Sequence, residues 1–544
     1  MESAREATAM EEAAAAAAAE EDDTPWDGWR AGEVPRIYVD ERQGAILPYI
    51  KDCDRKARTG KALFKQLLHP CTVDEFEKTH FQKQALLVKR SHHDDEDDGD
   101  GAEFYSSYFT EASLRELLRS KGGLPFLESI TLNKIVKTGK KGKRVRRNMN
   151  SNLDGTTEVA KEEDVWRRFN DDGCSMRVLH PQRHNAKLLR MIVALEEHFE
   201  CLVGCNLYYT PPGSQGFAAH YDDVDVFVLQ VKGKKTWSLF PSRNEQEVLP
   251  LFSSGDFDEE ELGKPCEVDL GPGDLLYLPR GAIHRARTDK AGSSLHLTIS
   301  ANHLNTWANL LEDALPEALR EATESCPEMR MTPPRGYFRY AGCVNSDQDG
   351  AERQRFLQIA EGLCSVVMQH VTAAVGGQET PMDHAADAMN ARFQAARAFP
   401  LFGKSAAASS GRQQAAEPLE DGSELRLRKS GCARLMVSGD RAVLHHCFNN
   451  SASDHASEEE RPWANDPKRD ARLEFQIDDA PLLEEITKCV KAKRVDAFPC
   501  EEGEEDVRRE VLTAAVQAGI LEVVGGEAEA EAQEGSAKKK QRKK

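Results

Sequence analysis

The sequence predicts a mixed α+β chain in which a β-rich, barrel-like core precedes a helical segment and a smaller C-terminal part of strands and helices. Three observations carry this. Apolar runs of strand length, VDVFVLQV at 224–231, LLYL at 275–278 and SSLHLTIS at 293–300, lie among Pro/Gly-rich turns. From residue 304 onward apolar residues recur at helical spacing. At 544 residues the chain exceeds what one hydrophobic core fills, so several domains are required.

Taken in order, MESAREATAMEEAAAAAAAEEDD is Ala/Glu low complexity without the basic start and long apolar core of a secretory signal. Residues 1–60 are therefore expected to be disordered, with Trp26 and Trp29 announcing the ordered part. Leu63, Phe64, Leu67 and Leu68 fall at helical spacing, and ALLV at 85–88 reads as a short strand. The loop HHDDEDDGD at 92–100 reads as solvated chain. Thr110 before EASLRELL is placed as an N-cap. Residues 134–147, KIVKTGKKGKRVRR, read as a hairpin with a solvated turn; the alternatives are phosphate contact or a nuclear import signal. No aromatic residue interleaves these charges, which argues against stacking on single strands.

Beyond the core, NTWANLLEDALPEALREATESC reads as an amphipathic helix interrupted at Pro316, followed by helices in AERQRFLQIAEGLCSVVMQHVTAAV and HAADAMNARFQAARAF. Phe356 and Leu363, seven residues apart, share a face that meets either a second copy of the chain or the rest of its own domain. Residues 403–422 form a linker by composition. Short strands follow, then an acidic linker at 451–460, the strand LEFQI, a helix, and EDVRREVLTAAVQAGILEVV. The chain closes on a Glu/Ala-rich stretch and KKKQRKK, whose like charges predict a disordered tail that fits nuclear and nucleolar delivery.

A formal charge of −20 excludes a general nucleic-acid binder and suits a basic protein partner. Thirteen cysteines show no paired C-x-x-C spacing, and no apolar run approaches the roughly 20 residues of a membrane helix, so a soluble intracellular protein is expected. Cys201 and Cys205 supply half a tetrahedral zinc site without a matching half and read as core thiols.

The chemistry concentrates between Asn206 and Ala301. His220 and Asp222 sit at His-x-Asp spacing between the turn TPPGSQG and a strand apolar on both faces, so the backbone there is rigid enough to aim ligands. With a second imidazole they form the set that leaves open positions on a non-heme Fe(II). His92/Asp94 and His93/Asp95 share the spacing but lie in the acidic loop. His284, delivered to a strand start by the Pro279-Arg280-Gly281 turn, is the preferred third ligand. His296 faces a polar cavity with Ser294, Thr298 and Ser300 by period-2 alternation, and His303 reads as structural. A 2-oxoglutarate cosubstrate needs a cation for its distal carboxylate. Lys235, alternating with Trp237 and Leu239, points inward for that role, while Lys232 and Lys234 solvate the hairpin turn.

These motifs, NLYYTPPGSQGFAAHYDDVDVFVLQVKGKKTW, GDLLYLPRGAIH and SLHLTIS, resemble the JmjC/cupin ribosomal oxygenases called bifunctional lysine-specific demethylase and histidyl-hydroxylase. The resemblance runs from about Leu63 to Val523. It implies a double-stranded β-helix core, a helical dimerisation module and a C-terminal winged-helix module. The domains expected are 61–303 catalytic, 304–402 helical, 423–525 winged-helix-like and 526–544 tail. It implies Fe(II) on His220, Asp222 and His284, Lys235 on 2-oxoglutarate with O2 as the other cosubstrate, and substrate contacts from Arg177, Asn206, Tyr208 and Ser300.

The expected activity is hydroxylation of a ribosomal-protein histidine, with demethylation of a methyl-lysine of histone H3 as the alternative. Hydroxylating a carbon leaves a stable alcohol, whereas hydroxylating an N-methyl group leads to loss of formaldehyde. A homodimer is expected. The last helix of the winged module is not rich in Lys or Arg, so protein contact is at least as well supported as DNA. A reading of a different class is a non-catalytic cupin adaptor in chromatin or ribosome assembly, against which the intact ligand set argues.

Overall fold

The structure is a computed structural model that describes residues 35–40, 59–90, 103–120, 123–138, 143–244, 247–347, 349–373, 379–397, 419–450, 455 and 472–524. The N-terminal low-complexity segment, the acidic loop, most of both linkers, the turn at 139–142 and the basic tail lie outside these residues. The chain forms two compact units. One comprises 1–48, 64–181 and 205–300; the other comprises 49–63, 182–204 and 301–544.

The strands of the first unit are β1 (Arg36–Val39), β2 (Leu86–Lys89), β3 (Leu124–Pro125), β4 (Ile130–Thr138), β5 (Lys143–Asn148), β6 (Val159–Ala160) and β7 (Ser175–Leu179). They continue with β8 (Gly204–Thr210), β9 (Asp225–Lys232), β10 (Lys235–Phe240), β11 (Cys266–Leu270), β12 (Leu275–Leu278), β13 (Ile283–Thr288) and β14 (Ser294–Ala301). A nine-stranded sheet runs β1-β2-β12-β9-β14-β8-β7-β4-β5, and a three-stranded sheet runs β11-β10-β13. Val226, Val228, Leu276 and Leu278 of the large sheet share one buried cluster with Trp237, Leu239, Val268 and Leu270 of the small one, so the two sheets face each other across this core. Each such side chain taken from water contributes about 1.5–3 kcal/mol. Strand β9 is buried along all but its last residue, as the two-sided apolar run requires.

Polar anchors fix the ends of these strands. The buried Asp225 carboxylate accepts the Tyr277 hydroxyl at 2.7 Å, which ties the start of β9 to β12 three residues beyond Asp222. Tyr277 also stands edge-on to Phe76 at 4.8 Å. Thr110 caps the helix Glu111–Arg119 as expected, its hydroxyl accepting from the Ser113 amide at 3.1 Å, and Leu114, Leu117 and Leu118 fill the buried side. Strands β4 and β5 pair antiparallel as the expected hairpin requires, with Lys134 opposite Arg147 and Lys137 opposite Arg144.

In the second unit, the helix Trp307–Ser325 runs unbroken through Pro316, contrary to the interruption expected there. Proline removes one backbone hydrogen bond. Packing compensates: Ala314 and Ala318, one turn apart, form a small-residue face buried with Val371 and Val367 of the helix Ala351–Val371. Phe356 is half-buried and stacks on Tyr337 at 5.7 Å, so it lies against the chain's own surface. The exposed apolar stripe of that helix is instead Leu357, Cys364 and Met368, with Leu357 at 48% and Met368 at 52% exposure. The helix Pro381–Ala396 follows.

The C-terminal part carries β15 (Glu424–Leu427), β16 (Ala433–Ser438), β17 (Arg441–His446), β18 (Arg472–Gln476), β19 (Lys493–Arg494) and β20 (Leu521–Val523). They form two three-stranded sheets, β19-β15-β20 and β16-β17-β18. The helices Ala480–Lys488 and Glu505–Gln517 bury Leu483, Ile486, Leu512 and Val516 in one cluster with Leu425 and Leu444.

Candidate active site

His220 and His284 are clamped by reciprocal backbone hydrogen bonds, His220 N to His284 O at 3.1 Å and His284 N to His220 O at 2.8 Å. Each ring donates Nδ1–H to the carbonyl two residues before it, His220 to Ala218 at 2.8 Å and His284 to Ala282 at 2.9 Å. That fixes both neutral tautomers with Nε2 as the acceptor nitrogen, which is how histidine is prepared to bind a metal. Both Nε2 atoms turn toward Asp222, 3.8 Å from one carboxylate oxygen each. One ligand atom from each of the three residues lies within 4.8 Å of the others, and among the described residues this is the one such cluster of His, Cys, Asp and Glu. Burial pushes the His284 imidazole down to about 4, so it is neutral at physiological pH.

The turn before His284 completes the frame. Gly281 N donates to the Asp222 carbonyl at 3.0 Å, linking the third ligand residue to the same support. Gly281 has φ +91°, and a Cβ there would stand 2.2 Å from the Glu247 carbonyl oxygen. Gly281→Ala should therefore destabilise this unit by about 1–3 kcal/mol and lower its metal occupancy. Chemical denaturation with parallel metal analysis checks this; unchanged stability would mean the turn has room to relax.

Lys235 points inward as the alternation requires, 5% exposed, while Lys232 pairs with Glu111 at 2.7 Å and Lys234 with Asp269 at 3.0 Å at the surface. Lys235 Nζ donates to the Thr210 hydroxyl at 3.1 Å and lies 3.5 Å from His296 Nδ1. Burial pulls its ammonium down to about 7. His296 is held well below its ordinary value by burial and by the Lys235 charge, and is neutral. Its ring stacks on Tyr208 at 5.0 Å and stands edge-on to Trp237 at 5.5 Å.

One cavity joins these groups: its wall includes Tyr208, Phe217, His220, Asp222, Lys235, His284 and His296. Arg177, Asn206 and Ser300 are half-buried and outside its wall. Arg177 is paired in register with Tyr208, and its guanidinium sits 5.8 Å over the Phe217 ring. Arg177 Nε and Asn206 Oδ1 are buried without a hydrogen-bond partner among the described residues. His303 is exposed, in the second unit, and Cys201 and Cys205 are buried free thiols. Thr210, Phe217 and Trp237 also line the cavity and were not singled out from sequence as site residues, while Thr298 lines it on the face that strand alternation assigned to the cavity. Thr210 follows Tyr208 at strand spacing, so period-2 alternation could have found it.

A β-helix with two histidines and one carboxylate at a cavity backed by a buried lysine defines a JmjC-type oxygenase core, and residues 177–310 match the JmjC domain family model. The chain is 33% identical over 438 residues to the bifunctional lysine-specific demethylase and histidyl-hydroxylase NO66 of Dictyostelium discoideum, covering 80% of this chain and 75% of that one. It is 31% identical to ribosomal oxygenase 1 of Danio rerio, covering 81% and 76%, and 37% identical to NO66 of Culex quinquefasciatus, covering 62% and 47%. The chain belongs to this family of JmjC ribosomal oxygenases.

Proposed function

We propose that the chain is an Fe(II)- and 2-oxoglutarate-dependent protein oxygenase that hydroxylates a histidine of a ribosomal protein. The carrying observation is the convergence of two tautomer-fixed imidazoles and a carboxylate on a cavity whose wall also holds a buried lysine. His220, Asp222 and His284 fit an iron by donor type and number, leaving positions open for the cosubstrate. Lys235, with the Thr210 hydroxyl beside it, would receive the distal carboxylate of 2-oxoglutarate. Bound iron with 2-oxoglutarate and O2 supplies the oxidant that places one oxygen atom into a C–H bond, releasing succinate and CO2. Phe217, Trp237 and Val226 in the wall exclude water, and Tyr208 in the wall, with the half-buried Arg177 and Asn206 next to it in the sheet, would contact the substrate. The test is mass spectrometry of ribosomal proteins incubated with enzyme, iron and 2-oxoglutarate. One oxygen added to one histidine is expected; cosubstrate turnover with no modified histidine would overturn the substrate class.

The relatives' names include lysine-specific demethylase, which favours a second reading on the same site, methyl-lysine of histone H3. Formaldehyde release from a methylated H3 peptide distinguishes it. Residues 61–303 would be the catalytic domain, and 423–525 a winged-helix-like module. In that module Arg508 is buried and Arg509 pairs with Asp421 at 3.1 Å, so the last helix is poorly suited to DNA and protein contact is the better reading. Nuclear and nucleolar delivery through residues 538–544 is tested by deleting them from a fluorescent fusion.

The helical region 304–402 would pair two copies through the exposed stripe Leu357, Cys364 and Met368. Leu357→Asp with Met368→Asp should convert a dimer to a folded monomer, because it buries unpaired carboxylates at the interface. Phe356→Asp with Leu363→Asp should instead loosen the helical region, since Phe356 packs on Tyr337. Light scattering with circular dichroism reads both; an unperturbed dimer in the first variant removes this stripe from the interface.

A further inference from the structure

Residues 134–147 hold eight lysines and arginines and no acid, in a chain whose formal charge is −20. Residues 134–138 and 143–147 of this run lie in β4 and β5, in a register that sets like charges opposite: Lys134 against Arg147 and Lys137 against Arg144. Such pairs destabilise a hairpin by a few tenths to about 1 kcal/mol each. Strand β5 is the edge of the nine-stranded sheet, and Val145, Arg146, Arg147 and Asn148 are exposed or half-exposed along it. A lysine or two is enough to protect a sheet edge from pairing with another chain; eight cations exceed that need. Among the described residues, Lys134 Nζ reaches the backbone carbonyl of Asp172 at 3.2 Å, and Arg146 has one long ion pair to Asp256 at 3.7 Å.

The hairpin also borders the site. Arg146 sits 5.5 Å over the Phe217 ring, which also neighbours Arg177, Tyr208 and the metal-ligand candidate His220, the last at 6.2 Å between rings. A polyanion lying on β5 would pass beside Phe217, which lines the catalytic cavity.

We propose that strands β4 and β5 bind the phosphate backbone of folded RNA, so that the enzyme engages its protein substrate next to RNA. This rests on the ribosomal-protein reading above for its biological setting, and on the charge and register of the hairpin for the contact itself. The absence of aromatic residues among the charges selects backbone contact with a folded duplex over stacking on single strands. Such contact releases counterions, so affinity falls steeply with salt, each Lys or Arg on a phosphate contributing about one to the slope of log affinity against log salt.

The test uses the full chain with a labelled hairpin RNA, the DNA duplex of the same sequence and a poly-glutamate peptide, titrated from low to physiological salt. Lys143→Gln/Arg144→Gln/Arg147→Gln should reduce the salt slope for RNA by about three and weaken binding at least tenfold. Lys143→Arg/Arg144→Lys/Arg147→Lys should bind as the parent does. Hydroxylation of a short substrate peptide should be the same in all three proteins, which shows that the variants are folded. Equal RNA affinity in the parent and the glutamine variant overturns the proposal. So does poly-glutamate displacing RNA at equal charge concentration, which would make the surface a site for acidic protein, and so does DNA binding as tightly as RNA. RNA binding that persists while no peptide or ribosomal protein is hydroxylated leaves the hairpin assignment standing and removes the oxygenase reading instead.

Discussion

Asp222→Ala should abolish turnover, by at least about 10³-fold, while leaving the fold intact. The carboxylate is the hinge of the cluster, 3.8 Å from the Nε2 atom of both His220 and His284, and no other carboxylate forms a ligand cluster with these histidines among the described residues. Losing it removes one of three protein ligands and the negative charge that offsets the metal, a loss of several kcal/mol in stabilising the reacting centre. Stability is spared because the side chain is about one-third exposed and the structural bond from Gly281 goes to the Asp222 backbone carbonyl, which alanine keeps. The measurement is 2-oxoglutarate turnover at saturating iron alongside a thermal melt. Turnover retained at the parent rate would rule Asp222 out as a ligand.

Lys235→Met should raise KM for 2-oxoglutarate by on the order of 30-fold to 10³-fold, because removing one partner of a buried charge pair costs about 2–5 kcal/mol. Lys234→Ala, whose lysine sits at the surface against Asp269, should change little. The pH dependence is specific to Lys235. Burial lowers it from 10.5 to about 7, so below about 7 the ammonium is already charged and meets the incoming carboxylate directly. Above about 7 the free enzyme holds a neutral amine and must take up a proton on binding, so affinity falls toward tenfold per pH unit. The stability contribution has the matching sign. The unfolded chain binds more protons than the folded one between about 7 and 10.5, so stability from this group rises with pH across that window and is lost as pH falls to about 7. Lys235→Met should flatten both profiles. A cosubstrate affinity independent of pH from 6 to 9 in the parent would show that Lys235 is not the carboxylate's partner.

What the sequence determined by itself were the features that one strand or one turn decides. Side chains alternate across a pleated strand, so the inward Lys235, the surface positions of Lys232 and Lys234 and the cavity-facing His296 were legible from spacing. A threonine before a helical run needs no partner elsewhere to cap it, and Thr110 does so. Gly281 marked a tight turn before His284 for the same local reason.

The tertiary structure decided whatever depends on which distant segments lie side by side. His220 and His284 are 64 residues apart in sequence, and the reciprocal bonds that aim both rings at Asp222 exist only once their strands are in register. Thr210 became a neighbour of Lys235 because β8 of the large sheet and β10 of the small one face the same cavity. Pro316 reads locally as a helix break, but the alanine face packed against Val367 and Val371 outweighs one missing backbone bond. Likewise the helical spacing of Phe356 and Leu363 defined a face without saying what covers it, and Tyr337, in a preceding 3-10 turn, covers Phe356. Periodicity gives the direction of a side chain; only the register of strands and the packing of helices supply its partner.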